Sequence, residues 1–284
     1  MAVIVSEPTG DLDWEDLPGK YLRSGGGGRA YEDFVHSLLE DSNLVPPGFT
    51  PAGSRHDQPD FMFYASINPW NTDFLELGGE AKLDAAADFG QCALDYQNGR
   101  WVLGGATDAA GLEMKAFLRA LGVEEKVNRV WGSAGAPRKW FDQFGNAQTN
   151  TGRNMLPNDI QYDQQNFKDI MLTDADAPRM SDLFNYYGSK RTYYIQIGGG
   201  NAGFYYMKED PARLNNSPFV PVPRLDGSLK LRIRRKPTGS RNEPWKYSFT
   251  TAIQVATPPT KSPIDLTAWR TDQINTEFDP KGLL

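Results

Sequence analysis

The feature that most constrains the fold is an alternation of apolar and charged residues over positions 74–83. The apolar positions are Leu75, Leu77, Ala81 and Leu83, and the charged ones are Glu76, Glu80 and Lys82. Because successive side chains of a β-strand point to opposite faces, this pattern predicts a strand with one face on a core. Its other face then presents carboxylates and an amine together.

The residues before this strand predict a helix and a partner strand. Apolar residues recur at helical spacing from residue 30 to residue 39, and the helix should end before Pro46. Residues 60–65 predict a strand, joined to the strand at 74–83 by a turn. The two strands are therefore candidates for a hairpin.

The residues after the strand at 74–83 also predict both helices and strands. Asp84 is a short polar acceptor of the kind that caps helices, so we expect a helix from there to about residue 96. A short buried strand at 100–103 and a helix at 112–121 follow. The order helix, strand, strand, helix, strand, helix predicts an α/β fold with a mixed central β-sheet flanked by helices.

The second half of the chain differs in composition. Residues 146–180 are rich in Asn, Gln and Asp, which favours a connecting region or a long insertion. Four strand-like runs come after it, at 191–197, 204–207, 229–234 and 247–250. We therefore expect an α/β core over residues 1–145, a polar connecting region over 146–180 and a β-rich C-terminal subdomain over 181–284.

Composition excludes several classes of protein. No apolar run reaches the roughly 18 residues of a membrane span, and Ser6 and Glu7 interrupt the N-terminal apolar residues, so we expect a cytoplasmic protein. One cysteine, Cys92, and two histidines, His36 and His56, rule out a disulfide framework and disfavour a zinc site. Any metal should be a hard cation held by oxygen.

The charge is unevenly distributed. Residues 187–250 hold 12 Lys and Arg against 4 Asp and Glu, whereas the rest of the chain holds 18 against 32. This asymmetry suggests an acidic part that holds cations and a basic part that contacts phosphates. Solvated charged faces produce the same pattern.

Two acidic residues can meet at the hairpin. If residues 60–65 pair with residues 74–83, Asp60 comes near Glu80, and the two carboxylates provide the oxygen ligands that Mg²⁺ prefers. Lys82 on the same face could orient an attacking water or stabilise charge on a phosphate. In the alternative interpretation these residues form the solvated face of an edge strand and bind no metal.

Pro59-Asp60 followed by Glu80-Ala81-Lys82 resembles the signature of the PD-(D/E)xK nuclease superfamily. In that family the preceding helix often supplies an acidic residue, and Glu32 is in such a place. A helix after the lysine strand often carries a glutamine, which Gln91 resembles. The resemblance covers roughly residues 29–105 and implies a restriction-endonuclease-like core.

The resemblance implies a mechanism and partners. Asp60, Glu80 and the main-chain carbonyl of Ala81 would hold Mg²⁺, with Mn²⁺ as a substitute, and Glu32 would bind it directly or through water. Lys82 would position the attacking water. The expected activity is Mg²⁺-dependent cleavage of double-stranded DNA by a Type II restriction-like enzyme that acts as a homodimer, because cutting both strands of a palindrome needs two sites related by a twofold axis.

A basic stretch in the C-terminal subdomain is the candidate DNA contact. Alternation places three of its cations on one strand face, where they can reach phosphates or guanine edges. The residues are Lys230, Arg232, Arg234, Arg235, Lys236, Arg241 and Lys246. An ordinary exposed strand face remains the alternative.

The run from Gly198 to Gly203 matches G-x-G-x-x-G, but a strand-like run rather than a helix follows it, so we expect a hairpin loop and no nucleotide cofactor. Three other functions remain open. The first is a phage-type DNA-processing or junction-resolving nuclease. The others are a catalytically inactive nucleic-acid-binding protein of the same fold and a structural β-rich protein.

Overall fold

The computed structural model describes residues 27–46, 48–50, 58–66, 74–105, 109–138, 157–201, 203–217, 220–237 and 247–267. In these residues the protein is a mixed α/β structure with two β-sheets and five α-helices. The helices are α1 (Gly27–Asp41), α2 (Ala109–Ala120), α3 (Val123–Trp131), α4 (Pro157–Asn166) and α5 (Met180–Ser189). The strands are β1 (Phe61–Ser66), β2 (Phe74–Lys82), β3 (Gly90–Gln97), β4 (Arg100–Leu103), β5 (Ile170–Leu172), β6 (Thr192–Ile197), β7 (Gly203–Tyr206), β8 (Ser228–Pro237) and β9 (Tyr247–Thr257).

The chain divides into two compact units, and neither unit is one continuous stretch of the sequence. The first unit combines residues 1–87, 180–228 and 257–284, and the second combines residues 88–179 and 229–256. Each unit therefore draws on separate segments. The contiguous division predicted at residues 145 and 180 cuts across both units, because strands far apart in sequence pair with one another.

The first unit contains a four-stranded mixed sheet in the order β1-β2-β6-β7. β1 and β2 form the predicted antiparallel hairpin, with Phe61 opposite Gly79 and Ser66 opposite Phe74. β6 pairs parallel to β2, with Glu80 opposite Ile195, and β7 pairs antiparallel to β6. A parallel partner needs a crossover connection, and here α5 leads into β6.

One side of this sheet is covered by α1, which contacts both β1 and β2. Its buried side chains Tyr31, Val35 and Leu39 recur every four residues, as the helical pattern predicted. They belong to a continuous core with Phe61, Phe63, Leu77, Ala81, Tyr194 and Phe204. The charged face of β2 is thus held on a rigid, buried sheet.

Gly79 allows the hairpin to pack tightly. A Cβ at this position would lie 2.1 Å from the ring of Phe61, which is far below any van der Waals contact. The neighbouring Gly78 lies where the register between β2 and β6 shifts. The glycine pair in the middle of the strand is therefore a packing requirement, since a side chain at residue 79 would displace Phe61 and the adjacent Asp60.

The second unit contains a five-stranded sheet in the order β4-β3-β9-β8-β5. Its core is an aromatic cluster of Trp101, Trp131, Phe167 and Phe249, whose ring centroids lie 4.9 to 5.7 Å apart. Rings at these spacings and tilts pack favourably edge to face.

The helix predicted from Asp84 to residue 96 is wrong. Asp84 does accept a main-chain hydrogen bond, from Ala86 at 2.7 Å, but it stabilises a turn and not a helix. The residues after the turn form β3, in which Cys92 and Leu94 are buried and Gln91 is exposed. Residues 90–93 pair antiparallel with β9, from Gly90 opposite Ile253 to Ala93 opposite Thr250, and this long-range pairing makes the segment a strand.

The polar region predicted to connect the two halves is also structured where it is described. It contains α4, which begins at Pro157, and β5, which pairs with β8. The polar residues of α4 are used for packing, since the fully buried carboxylate of Asp163 accepts a hydrogen bond from the main-chain nitrogen of Arg138 at 2.9 Å. Proline at the first helical position is favourable.

The remaining element predictions are confirmed. The predicted strand at 100–103 is β4, the helix at 112–121 corresponds to α2, and the four later runs correspond to β6, β7, β8 and β9. The glycine-rich run at 198–203 joins β6 to β7 in a hairpin. Within the described part of the chain, no helix has the length and apolar character needed to cross a membrane.

Candidate active site

The hairpin of β1 and β2 brings Asp60 to the Glu80-Ala81-Lys82 segment. Asp60 directly precedes β1, and its Oδ2 accepts a hydrogen bond of 2.9 Å from the main-chain nitrogen of Ala81. Asp60 is 6% exposed and Glu80 is 9% exposed. Two carboxylates predicted to meet therefore share a largely buried site within the first unit.

Glu80 is held by two donors that reach the same oxygen. The Nζ of Lys82 forms an ion pair and a short hydrogen bond with Oε1 of Glu80. The hydroxyl of Tyr187, on α5, donates a second hydrogen bond to this oxygen at 3.0 Å. Lys82 and Glu80 lie two residues apart on one strand, so their pairing follows from the alternation of the strand.

Glu32 extends from α1 into the same electrostatic environment. Its Oε2 is buried and has no hydrogen-bond partner among the described residues. Burial raises the pKa of Glu32 to about 7. The positive charge of Lys82 opposes this shift, and the negative charge of Glu80 adds to it. An unpaired, buried carboxylate oxygen of this kind needs either a proton or a cation.

The pKa of Asp60 is affected by burial and by neighbouring charges as well. Burial raises the pKa of Asp60 well above its usual range, and the negative charge of Glu80 raises it further. The positive charge of Lys82 opposes this shift of the Asp60 pKa. Lys82 acts on all three carboxylates and the exposed Arg29 acts on Glu32 as well, so three negative charges face two positive ones.

Lys82 remains protonated in this environment. Burial alone would lower the pKa of Lys82, but the charges of Glu80 and Asp60 outweigh that effect and raise it above its usual range. Lys82 is thus a fixed cation and hydrogen-bond donor rather than a base.

The donor set fits a hard divalent cation. Among the described residues, no three side chains of His, Cys, Asp or Glu are grouped closely enough to hold a metal ion by themselves. Mg²⁺ does not need three, because it is usually held by one or two carboxylates and completes its shell with water and substrate phosphate oxygens. Asp60 and Glu80 supply two carboxylates, and the unpaired Oε2 of Glu32 leaves a further anionic oxygen to be satisfied.

The sequence analysis missed Tyr187. Its ring is 4% exposed, and burial followed by the charge of Glu80 raises the pKa of its hydroxyl well above the usual range. The residue is 107 positions from Glu80, so no local motif relates them.

Gln91 does not have the predicted setting. It lies on β3 in the second unit, exposed to solvent, and not on a helix that follows the lysine strand in the first unit. The helix that leads into a strand beside β2 is α5. The prediction failed because residues 88–179 of the second unit intervene between β2 and that helix.

Five of the seven predicted DNA-contacting cations lie on β8 in the second unit, and two of these five are engaged in ion pairs. Arg232 contacts Asp169 at 2.8 Å and Arg234 contacts Asp88 at 3.1 Å. Lys230, Arg235 and Lys236 are partly exposed. Arg241 and Lys246 lie outside the described residues. Arg232 and Arg234 therefore have a structural role whether or not they contact a ligand.

A scan against protein-family models gives no match for this chain. Searches among curated proteins and solved structures likewise return no relative.

Proposed function

We propose that the protein is a Mg²⁺-dependent endonuclease of the PD-(D/E)xK type that hydrolyses phosphodiester bonds in double-stranded DNA. The observation that carries this proposal is the hydrogen bond between Asp60 and Ala81, which joins the Pro59-Asp60 motif to the Glu80-Ala81-Lys82 motif. The hairpin register accounts for the meeting of the two motifs, and the burial of Asp60 and Glu80 favours a functional site over the solvated face of an edge strand.

The connectivity of the first unit supports the same proposal. The unit combines a helix with a buried carboxylate oxygen, a hairpin with the two motifs, and a crossover helix leading to a parallel strand, which is compatible with the mixed sheet flanked by helices expected for this core. Here these elements are α1, β1 with β2, α5 and β6. Residues 88–179 of the second unit lie between β2 and α5 in the chain, and its remaining residues, 229–256, follow β7.

In the proposed site, Asp60, Glu80 and the main-chain carbonyl of Ala81 hold Mg²⁺, and Glu32 binds it directly or through water. The cation, when bound, offsets negative charge on the nonbridging phosphate oxygens and the leaving group. Mn²⁺ has similar ligand preferences and is expected to substitute.

The chain's own residues orient the reactants. Lys82 is a protonated donor held beside Glu80, so it can align an attacking water and stabilise charge on the phosphate. Burial of Asp60 and Glu80 lowers the local dielectric, which strengthens these interactions. Positioning by a rigid sheet lowers the entropic part of the barrier.

Among nucleases, a sequence-specific, Type II restriction-like enzyme acting as a homodimer is our first choice. The second unit supplies a separate body for target contact, with the cations of β8 as candidates. A phage-type DNA-processing or junction-resolving nuclease is the alternative within the same chemistry. The products distinguish the two, because a sequence-specific enzyme yields discrete plasmid fragments.

The first experiment compares wild type with Glu80→Ala on supercoiled plasmid, in Mg²⁺ and in EDTA. Glu76→Ala is the matched control, because Glu76 lies on the same strand face but is exposed and outside the site. We expect Mg²⁺-dependent cutting by wild type and by Glu76→Ala, and none by Glu80→Ala. Plasmid, branched and single-stranded DNA all left intact by wild type would overturn the nuclease and favour a binding protein of the same fold.

A further inference from the structure

We propose that Tyr187 is a positioning residue that determines which oxygen of Glu80 faces a divalent cation. This inference rests on the nuclease proposed above and assigns a role to a residue outside its motifs. It starts from the hydrogen bond of 3.0 Å that the Tyr187 hydroxyl donates to Oε1 of Glu80.

Both donors to Glu80 use the same oxygen. Lys82 and Tyr187 each reach Oε1, and no described residue donates a hydrogen bond to Oε2. A carboxylate oxygen offers two lone pairs, so two donors occupy Oε1 and orient the whole group. Oε2 is then the oxygen left to bind a cation.

The helix that carries Tyr187 is anchored to the strand that carries Glu80. α5 ends at Ser189, and β6 begins at Thr192 and pairs with β2 so that Ile195 lies opposite Glu80. Leu183, Phe184 and Tyr186 bury the same helix in the first unit. The hydroxyl of Tyr187 therefore approaches Glu80 from a fixed base.

The arrangement is that of an outer-shell partner of a metal ligand. Such partners fix the orientation of the ligand, and their loss typically weakens metal binding or activity about 10–100-fold. Lys82 alone would tether Oε1 from a long side chain on the same strand. Tyr187 adds a rigid donor from a second element.

The test uses Tyr187→Phe in the full chain, with Tyr186→Phe as the matched control. Tyr186 is the next residue on α5, is also buried, and has its hydroxyl beside Lys190 rather than Glu80. Mn²⁺ binding is measured by electron paramagnetic resonance, and plasmid cleavage is measured across Mg²⁺ and DNA concentrations.

For Tyr187→Phe we expect Mn²⁺ affinity to fall about 10-fold or more. The rate constant kcat should fall, and KM for DNA should stay unchanged. Tyr186→Phe should match wild type in each measurement. In a Glu80→Ala background Tyr187→Phe should have no further effect, because the residue acts through Glu80.

A second variant separates positioning from packing and covers the case in which the Phe variant fails to fold. Tyr187→Trp keeps a ring N–H donor that is not a metal ligand but fits the space less well than Phe, so it should retain more Mn²⁺ affinity than Tyr187→Phe only if the donor matters. Equal metal affinity in wild type and both variants overturns the role of Tyr187 and leaves the nuclease standing. Wild type that neither binds Mn²⁺ nor cuts DNA overturns both.

Discussion

The carboxylate of Asp60 accepts a hydrogen bond from the main chain of Ala81, between Glu80 and Lys82. One hydrogen bond does not offset the cost of burying a carboxylate next to two others, and Lys82 provides only one positive charge. Without a bound cation, the site therefore lowers the stability of the fold that holds it. Predictions about stability, pH and metal follow from this imbalance.

Asp60→Asn should stabilise the metal-free protein at pH 8. The amide oxygen can still accept the hydrogen bond from Ala81, while the buried charge is removed. We expect a gain of about 1–2 kcal/mol, measured as the midpoint of thermal unfolding in EDTA. Asp33→Asn, an exposed site on α1, is the control and should change little. A lower midpoint for Asp60→Asn would contradict the imbalance.

Glu32 should make stability fall between pH 5 and pH 8. A carboxyl group whose pKa is higher in the folded than in the unfolded state binds its proton more tightly when folded, so it favours folding at low pH. With a folded pKa of about 7, that preference is lost as pH rises from about 4.5 through 7. Glu32→Gln should remove about 1–2 kcal/mol of this loss, allowing for partial solvent screening.

The measurement is thermal unfolding of wild type and Glu32→Gln in EDTA at several pH values. The two curves should converge near pH 5 and separate at pH 8, where the variant is the more stable. Mg²⁺ or Mn²⁺ should raise the midpoint of wild type at pH 8 more than that of the variant. Parallel curves across the whole range would show that Glu32 is not the titrating group.

Lys82→Ala should destabilise the protein, in contrast to Asp60→Asn, which should stabilise it. The substitution removes the one cation paired with Glu80, and breaking a buried pair costs about 3 kcal/mol. Cleavage below the unfolding midpoint should fall about 10²- to 10³-fold, while DNA affinity in EDTA should stay close to that of wild type. Undiminished cleavage would remove Lys82 from the mechanism.

The sequence predicted the hairpin and the helix before it better than the elements that follow them. The two strands, the helix before them and the meeting of Asp60 with Glu80 followed from alternation and helical spacing, which are local patterns. Gln91 and the residues around it were misassigned because pairing of β3 with β9, over 150 residues away, overrides the local preference. Tyr187 was missed because its contact spans 107 residues, and no local pattern reports such a contact.

Gly79→Ala should both destabilise the first unit and weaken metal binding at the site. The added methyl group would force Phe61 away from β2, and overpacking of this kind costs about 1–3 kcal/mol. Asp60 adjoins Phe61, so Mn²⁺ affinity should fall as well. Gly188→Ala is the control, because a Cβ there meets no atom within 4 Å. A Gly79→Ala variant as stable as wild type would contradict the close contact.

The cations of β8 should differ in what they contribute. Arg234→Ala breaks a partly buried pair with Asp88 and should lower stability. Lys236→Ala should leave stability unchanged but, if Lys236 contacts a phosphate, should reduce the slope of log affinity for DNA against log salt by about 0.9. Fluorescence anisotropy over a salt series measures the slope, and a slope unchanged by Lys236→Ala and Lys230→Ala would exclude these two lysines from the interface.

The parallel pairing of β2 with β6 also governs the order of events during synthesis. Gly78 pairs with Thr192, more than 100 residues later, and ribosomes add about 5–20 residues per second. The edge of β2 therefore stays without its partner strand β6 for several seconds or more. Tyr187 is synthesised only just before β6. A nascent chain can form the hairpin early, yet the hydrogen bond from Tyr187 to Glu80 can form only after more than 100 further residues have been added.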